Sequence, residues 1–165
     1  MNESNGFSGL IRAQGPIISY WRSHCRGGQL PERSDIDPGV LRSHLAAISI
    51  VEIEPDGGVR FRIAGSEVRT VFGQEMRGRR LDEFDTPAAD MWSLGLTAVL
   101  DRQQPVGGLI KRSHDSHAWL RLPLRPTVRG HVVLCHDMLV ANARLDQAGA
   151  ALSHTRSSPH GPLAA

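Results

Sequence analysis

The sequence predicts an α+β domain built on one antiparallel sheet of five strands, and three observations carry that prediction. Two strand-like runs, AAISIVEIE and VRFRIA, are joined by the turn PDGG and read as a hairpin over Ile48–Glu54 and Val59–Ala64. Three more runs, VGGLIKR, AWLRLPL and GHVVLCHDML, follow as a second group. Between the two groups the apolar spacing changes from alternation to the period of short helices.

From Leu10 to Arg26, the side chains of Leu10, Ile11, Ile17, Ile18, Tyr20 and Trp21 fall mostly on one helical stripe, with a start marked near Pro16. Glycines 27 and 28 stop this amphipathic helix, and Asp37 with Pro38 behind it reads as the cap and first position of a second helix of about two turns. In the hairpin, strict alternation places Val59, Phe61 and Ile63 on one face and Arg60 and Arg62 on the other. After Gly65, Val68, Val71 and Phe72 have helical spacing, and Gly73 ends that helix. The run MRGRRLDEF continues as short turns or a further helical piece. TPAADMWSLGLTAVLDRQQP reads as one stronger helix, opened by Thr86 and Pro87 and closed by Pro105. In AWLRLPL the leucines 120, 122 and 124 share a face, while Pro123 calls for a bulge or an edge position. SHDSH and RPTVR are read as the turns between strands.

A chain of 165 residues suits a single domain, expected over residues 10–142, with flexible polar ends at 1–9 and 143–165. Nineteen basic and seventeen acidic residues leave a net charge of +2, too small a field to commit the whole chain to nucleic acid or a membrane. Any anion site must therefore be local. Arginine supplies all the basic residues except Lys111, a skew that reads first as codon bias rather than selection for phosphate binding. Cys25 and Cys135 are far apart and fit a reduced, cytoplasmic setting better than a disulfide framework. No apolar run approaches the roughly 20 residues that span a bilayer, and the N-terminus lacks the regions of a signal peptide.

The run YWRSHCRGGQLPERSDIDP, followed by FRIAGSEVRTVFGQEMRGRRL and later LRLPL, resembles a PAS-like family of short, stand-alone bacterial proteins found mainly in alphaproteobacteria. The matching positions are Trp21, then Gly28, Leu30, Pro31, Arg33, Asp35, Asp37 and Pro38. They continue through the joint Phe61, Arg62, Ala64, Gly65 and on to Phe72, Gly73, Glu75 and Gly78. The resemblance covers residues 15 to 140 or so. It implies a five-stranded antiparallel sheet with short helices across one face, often with a pocket between them. It also implies sensing or protein interaction rather than catalysis, and it supplies no shared ligand, since a fold does not assign one.

Several residue groups invite chemistry, and each has a plain structural alternative. Gly65 stands where a phosphate loop would turn, but AGSEVRTVFG matches neither phosphate-binding signature, and Glu67 puts a carboxylate in the first helical turn, so a structural turn is favoured. Arg77, Arg79 and Arg80 form the densest positive cluster, within a window from Gly57 to Arg80 holding six Arg against two Glu. A solvated face balanced by Asp82, Glu83 and Asp85 is favoured over a nucleotide or nucleic-acid contact, which would also lack a helix-turn-helix or an aromatic stacking platform. His114, Asp115 and His117, helped by His131 or His136, are the candidate metal ligands of a small-enzyme alternative, against which stands the common polarity of turns. Cys135 beside His136 and Asp137 does not make a nucleophile pair, because neighbours in a strand face opposite ways.

A flavin photosensor of this class carries an Asn-Cys-Arg element that TVFGQEMRG lacks, and no histidine falls between Leu45 and Ser113 to ligate haem, so both cofactors are disfavoured. What remains is an apolar space lined by Phe61, Ile63, Val68, Phe72, Met76, Trp92 and Leu96, either a ligand pocket or simply core. The sequence is therefore read as a stand-alone regulatory domain, not an enzyme, acting through a small molecule, an unidentified signalling protein, or both. A homodimer through the N-terminal helix, with Tyr20 and Trp21 at the contact, is expected.

Overall fold

The computed structural model describes residue 7 and residues 9–145, so the ends expected to be flexible lie mostly outside the described residues. The chain opens with α1 (Gln14–Ser23) and two 3-10 turns, Arg33–Asp35 and Arg42–Ala47, and then forms the hairpin β1 (Ile48–Ile53) and β2 (Val59–Ala64). Next come α2 (Ser66–Phe72), a 3-10 turn at Leu81–Glu83, α3 (Pro87–Ser93) and α4 (Leu96–Arg102). Strands β3 (Val106–Lys111), β4 (Asp115–Thr127) and β5 (Gly130–Ala141) complete one antiparallel sheet in the order β2-β1-β5-β4-β3. All five strands fall where alternation and β-branching place them.

Both faces of the sheet are covered. On one, Ile17, Ile18 and Trp21 of α1 pack on Leu120, Leu122, Leu124 and Leu134. Each aliphatic side chain so buried contributes about 1.5–3 kcal/mol. Trp21 also donates its Nε1–H to the carbonyl of Pro123 at 2.7 Å. Pro123 stands beyond the end of β3, which pairs only with residues 116–121 of β4, so the proline occupies an edge and its missing N–H breaks no ladder. On the other face, α2, α3, α4 and the loop after α2 lay Val68, Met76, Trp92, Leu96 and Val99 over Val51, Phe61, Val133 and Cys135.

Four details depart from the sequence reading. The hairpin register shifts between Ile50 and Val51, where Ile50 pairs with Ile63 but Val51 with Phe61, so Arg62 is an extra residue. This β-bulge reverses the parity of β2. Phe61 faces the helices, whereas Ile63 packs on the α1 side. The helix expected at Pro38 is instead a turn: the Asp37 side chain accepts from the N–H of Gly39 at 2.8 Å, an Asx-type bond that replaces the cap of a helix. The long helix from Thr86 is two helices, broken at Gly95 with φ +74°, where a Cβ would lie 2.2 Å from the Trp119 ring. Finally, neither SHDSH nor RPTVR is wholly a turn, since β4 begins at Asp115, carries His117 into the sheet and runs on to Thr127.

Gly65 holds the joint between β2 and α2 for a reason other than its torsions. Its φ is −67°, open to any residue, but a Cβ would meet the carbonyl oxygens of Leu45, Ala46 and Ile48 at 2.3, 2.4 and 2.7 Å. The glycine allows two backbones to touch, and its N–H donates to Ile48 at 2.9 Å.

Candidate functional site

The break at Gly95 leaves the carbonyls at the end of α3 pointing at the sheet, and one buried side chain collects them. Arg121 of β4 is wholly buried and donates Nε–H to Leu94 O at 2.9 Å and Nη2–H to Met91 O and Trp92 O, both at 3.4 Å. Its remaining donors form a forked pair with Asp137 of β5, Nη1 to Oδ2 at 2.9 Å and Nη2 to Oδ1 at 3.0 Å, while Nη1 also reaches Leu120 O at 2.9 Å. Burial opposes the charge on Arg121, and Asp137 more than offsets this, holding the guanidinium above its ordinary pKa. The Trp119 ring lies beneath the guanidinium, 5.5 Å from ring centre to Cζ.

Asp137 also orients a histidine. His117 Nε2–H donates to Asp137 Oδ1 at 2.8 Å, which fixes the tautomer because a carboxylate only accepts. The imidazole is 1% exposed, stacks on Trp92 with ring centres 5.9 Å apart, and its Nδ1 has no hydrogen-bond partner among the protein's atoms. An orphaned polar atom at such depth costs about 1–3 kcal/mol.

This ring lines a cleft of about 240 Å³ between α2, α3 and the β4–β5 pair. Val71, Trp92, Met138 and Leu139 supply its apolar wall. Glu67, Thr70, His117 and Asp137 supply its polar groups. Desolvation, and then the neighbouring charge of Asp137, push the Glu67 carboxyl above its ordinary pKa. Wider grooves exist. Two are bordered by charged residues, one of about 410 Å³ by Glu54, Arg129 and Arg62 with its unpartnered Nε, one of about 380 Å³ by Asp56, Arg80 and Asp82. Two are more apolar, one of about 420 Å³ bordered by Leu41, Ile48 and Ile63, the other of about 570 Å³ bordered by Phe72, Phe84 and Met91. Neither of these apolar grooves is lined by a buried, unpartnered polar group among the described residues.

The residues singled out from the sequence fall in several places. Phe61, Val68, Phe72, Met76, Trp92 and Leu96 do come together in the helix-side core, where Phe72 meets Phe61, Phe84 and Trp92 edge-on at 6.0, 5.8 and 5.3 Å. Ile63 does not join them, because the bulge at Arg62 sends it to the opposite face. Of the set, Trp92 borders the cleft. His114 is exposed at the β3–β4 turn, His117 faces the helices, and His136 packs across the sheet beside His44, so the three do not converge. Among the described residues no three His, Cys, Asp or Glu side chains are grouped to hold a metal. Cys135 is buried with its thiol pushed up to about 12 by desolvation, unsuited to nucleophilic work.

The arginine cluster is held by carboxylates. Arg80 donates to Glu54, Asp56 and Asp82 at 2.8–3.0 Å, and Arg79 to Glu83 at 2.7 Å, whereas Arg77 makes no ion pair among the described residues. Asp82 and Glu83 are the balancing acids read from the sequence; Glu54 and Asp56 come from the distant hairpin. Tyr20 and Trp21 are likewise occupied within the chain. Trp21 is 5% exposed, and the Tyr20 hydroxyl donates to Asp35 O at 2.9 Å and accepts from Asp37 N–H at 2.8 Å. A dimer contact using Trp21 would require unpacking it from the sheet.

Sequence reasoning passed over Arg121 and named Asp137 only beside Cys135, without giving it a role. The usable signal was a lone charge in each of two strands whose neighbours are apolar, LRLPL and VVLCHDML. Sheet order, helical covering and strand reversal are those of the PAS class of α+β domains. A family model described as a PAS domain matches residues 11–126, and the chain belongs to that family. No curated protein matches it. It is thus a domain of the sensory and regulatory type. No helix among the described residues is long and apolar enough to cross a membrane.

Proposed function

We propose that this PAS domain senses a small molecule in the cleft bordered by His117, Trp92 and Asp137, and passes its bound state to a protein partner in bacterial signalling. The observation that carries the reading is the buried His117 Nδ1, locked in place by Asp137 and Arg121 yet without a partner of its own. Buried ion pairs are weak devices for stability, and an oriented polar atom left over at a cleft is a site for recognition. Two free thiols fit the cytoplasm as its location. The homodimer remains a proposal, tested by light scattering of the full chain, where a monomer overturns it.

The ligand is tested by native mass spectrometry of the full chain. It is expected to show a small-molecule adduct that denaturation releases and that a Leu139→Trp substitution at the cleft removes. An adduct retained by the variant, or none on either protein, counts against the cleft.

A further inference from the structure

The same cleft carries information about the chemistry of its ligand. Resting on the reading above, we infer that the cleft takes a small organic cation with N–H donors, of the amidinium or ammonium class. Among its polar groups two carboxylates outweigh the unpartnered Nε1–H of Trp92. Asp137 and Glu67 present carboxylates, and no Lys or Arg lines the space. With Nε2–H of His117 donated to Asp137, the other ring nitrogen, Nδ1, is left without a partner among the protein's atoms.

Arg121 does not turn the site cationic. Its donors are all taken up by Asp137 and by the carbonyls of Leu94, Leu120, Met91 and Trp92. One guanidinium against two carboxylates leaves the cleft one negative charge in excess. Burial and then the charge of Asp137 raise Glu67; an incoming anion would add to that second effect, whereas a cation relieves it. The indole of Trp92 in the same wall is the ring type that best attracts cations. A volume of about 240 Å³ lies below the ~300–1,000 Å³ of drug-sized sites and limits the ligand to a small one.

The test uses three probes of one shape and different charge, namely benzamidinium, benzamide and benzoate. Each is titrated into the isotope-labelled full chain while amide resonances of Val71, Met138 and Leu139 are followed. Benzamidinium is expected to shift these resonances saturably, more tightly than benzamide, with benzoate silent. Glu67→Gln, at a half-exposed position on α2, is expected to weaken benzamidinium about tenfold and to leave the free spectrum folded. Benzoate or benzamide binding at these residues as tightly as benzamidinium overturns the cation class and leaves the cleft standing as a ligand site. Benzamidinium binding that Glu67→Gln does not weaken also overturns it. Silence from all three probes at millimolar concentration overturns both the cation class and the cleft.

Discussion

His136 is 1% exposed on the α1 face of β5, with neither ring nitrogen bonded within the protein and the His44 ring 6.1 Å away. Desolvation lowers its pKa from 6.5 to about 4. The folded state therefore disfavours the proton that the unfolded chain accepts, so stability is full above pH 6.5, falls as pH drops toward 4, and loses nothing further from this group below that. The whole effect is about 3 kcal/mol. Urea unfolding across that pH range is expected to show this loss, and His136→Leu to remove most of it; parallel pH profiles would refute the assignment. Arg121 behaves differently, because its burial is compensated. Arg121→Met alone is expected to cost about 3–5 kcal/mol, by stranding Asp137, and the pair Arg121→Met with Asp137→Leu to cost less than that single change. The sequence did not disclose this pair. A charge on the second face of a strand reads as solvent-facing until helices are seen to cover it, and His117, named as a candidate metal ligand, stood in a run whose polarity is that of a turn.

At the scale of elements, most of what alternation and helical spacing indicate is present. The five strands, the amphipathic α1, α2 with its stop at Gly73, and the Thr86–Pro87 opening of α3 were legible, because each depends on local sequence alone. The bulge at Arg62 and the break at Gly95 were not, since each depends on a partner far along the chain, Val51 for one and Trp119 for the other. Two glycines give contrasting tests. Gly65→Ala drives a methyl into three backbone carbonyls that cannot rotate away and is expected to destabilise by well over ~1 kcal/mol. Gly73→Ala meets open space and bears only the strain of φ +70°, so its midpoint in urea should fall by less. For α1, Trp21→Ala is expected to cost about 3–5 kcal/mol, through lost packing on the sheet and a carbonyl of Pro123 left without its donor.

For the whole molecule, the two cores are separated by a single sheet whose strands feed both. Leu134 of β5 belongs to the α1 side while Val133 and Cys135 belong to the helix side, so neither core can dissolve while the other keeps its backbone. One cooperative transition follows. Trp21 reports one core, Trp92 and Trp119 the other; fluorescence of Trp21→Phe and of the double variant Trp92→Phe with Trp119→Phe, each compared with its own circular dichroism, is expected to give coincident midpoints. Separate midpoints within either variant would show two independently folding layers.

The grip of Arg121 on the end of α3 has a mechanical side. The guanidinium divides its donors between Asp137 on the sheet and the carbonyls of Met91, Trp92 and Leu94 at the helix corner, while Asp137 divides its acceptors between Arg121 and His117. A molecule that draws on His117 or Asp137 thus pulls on one end of a latch whose other end fastens the α3–α4 corner. Amide hydrogen exchange in the last turn of α3 is where such a tug would register.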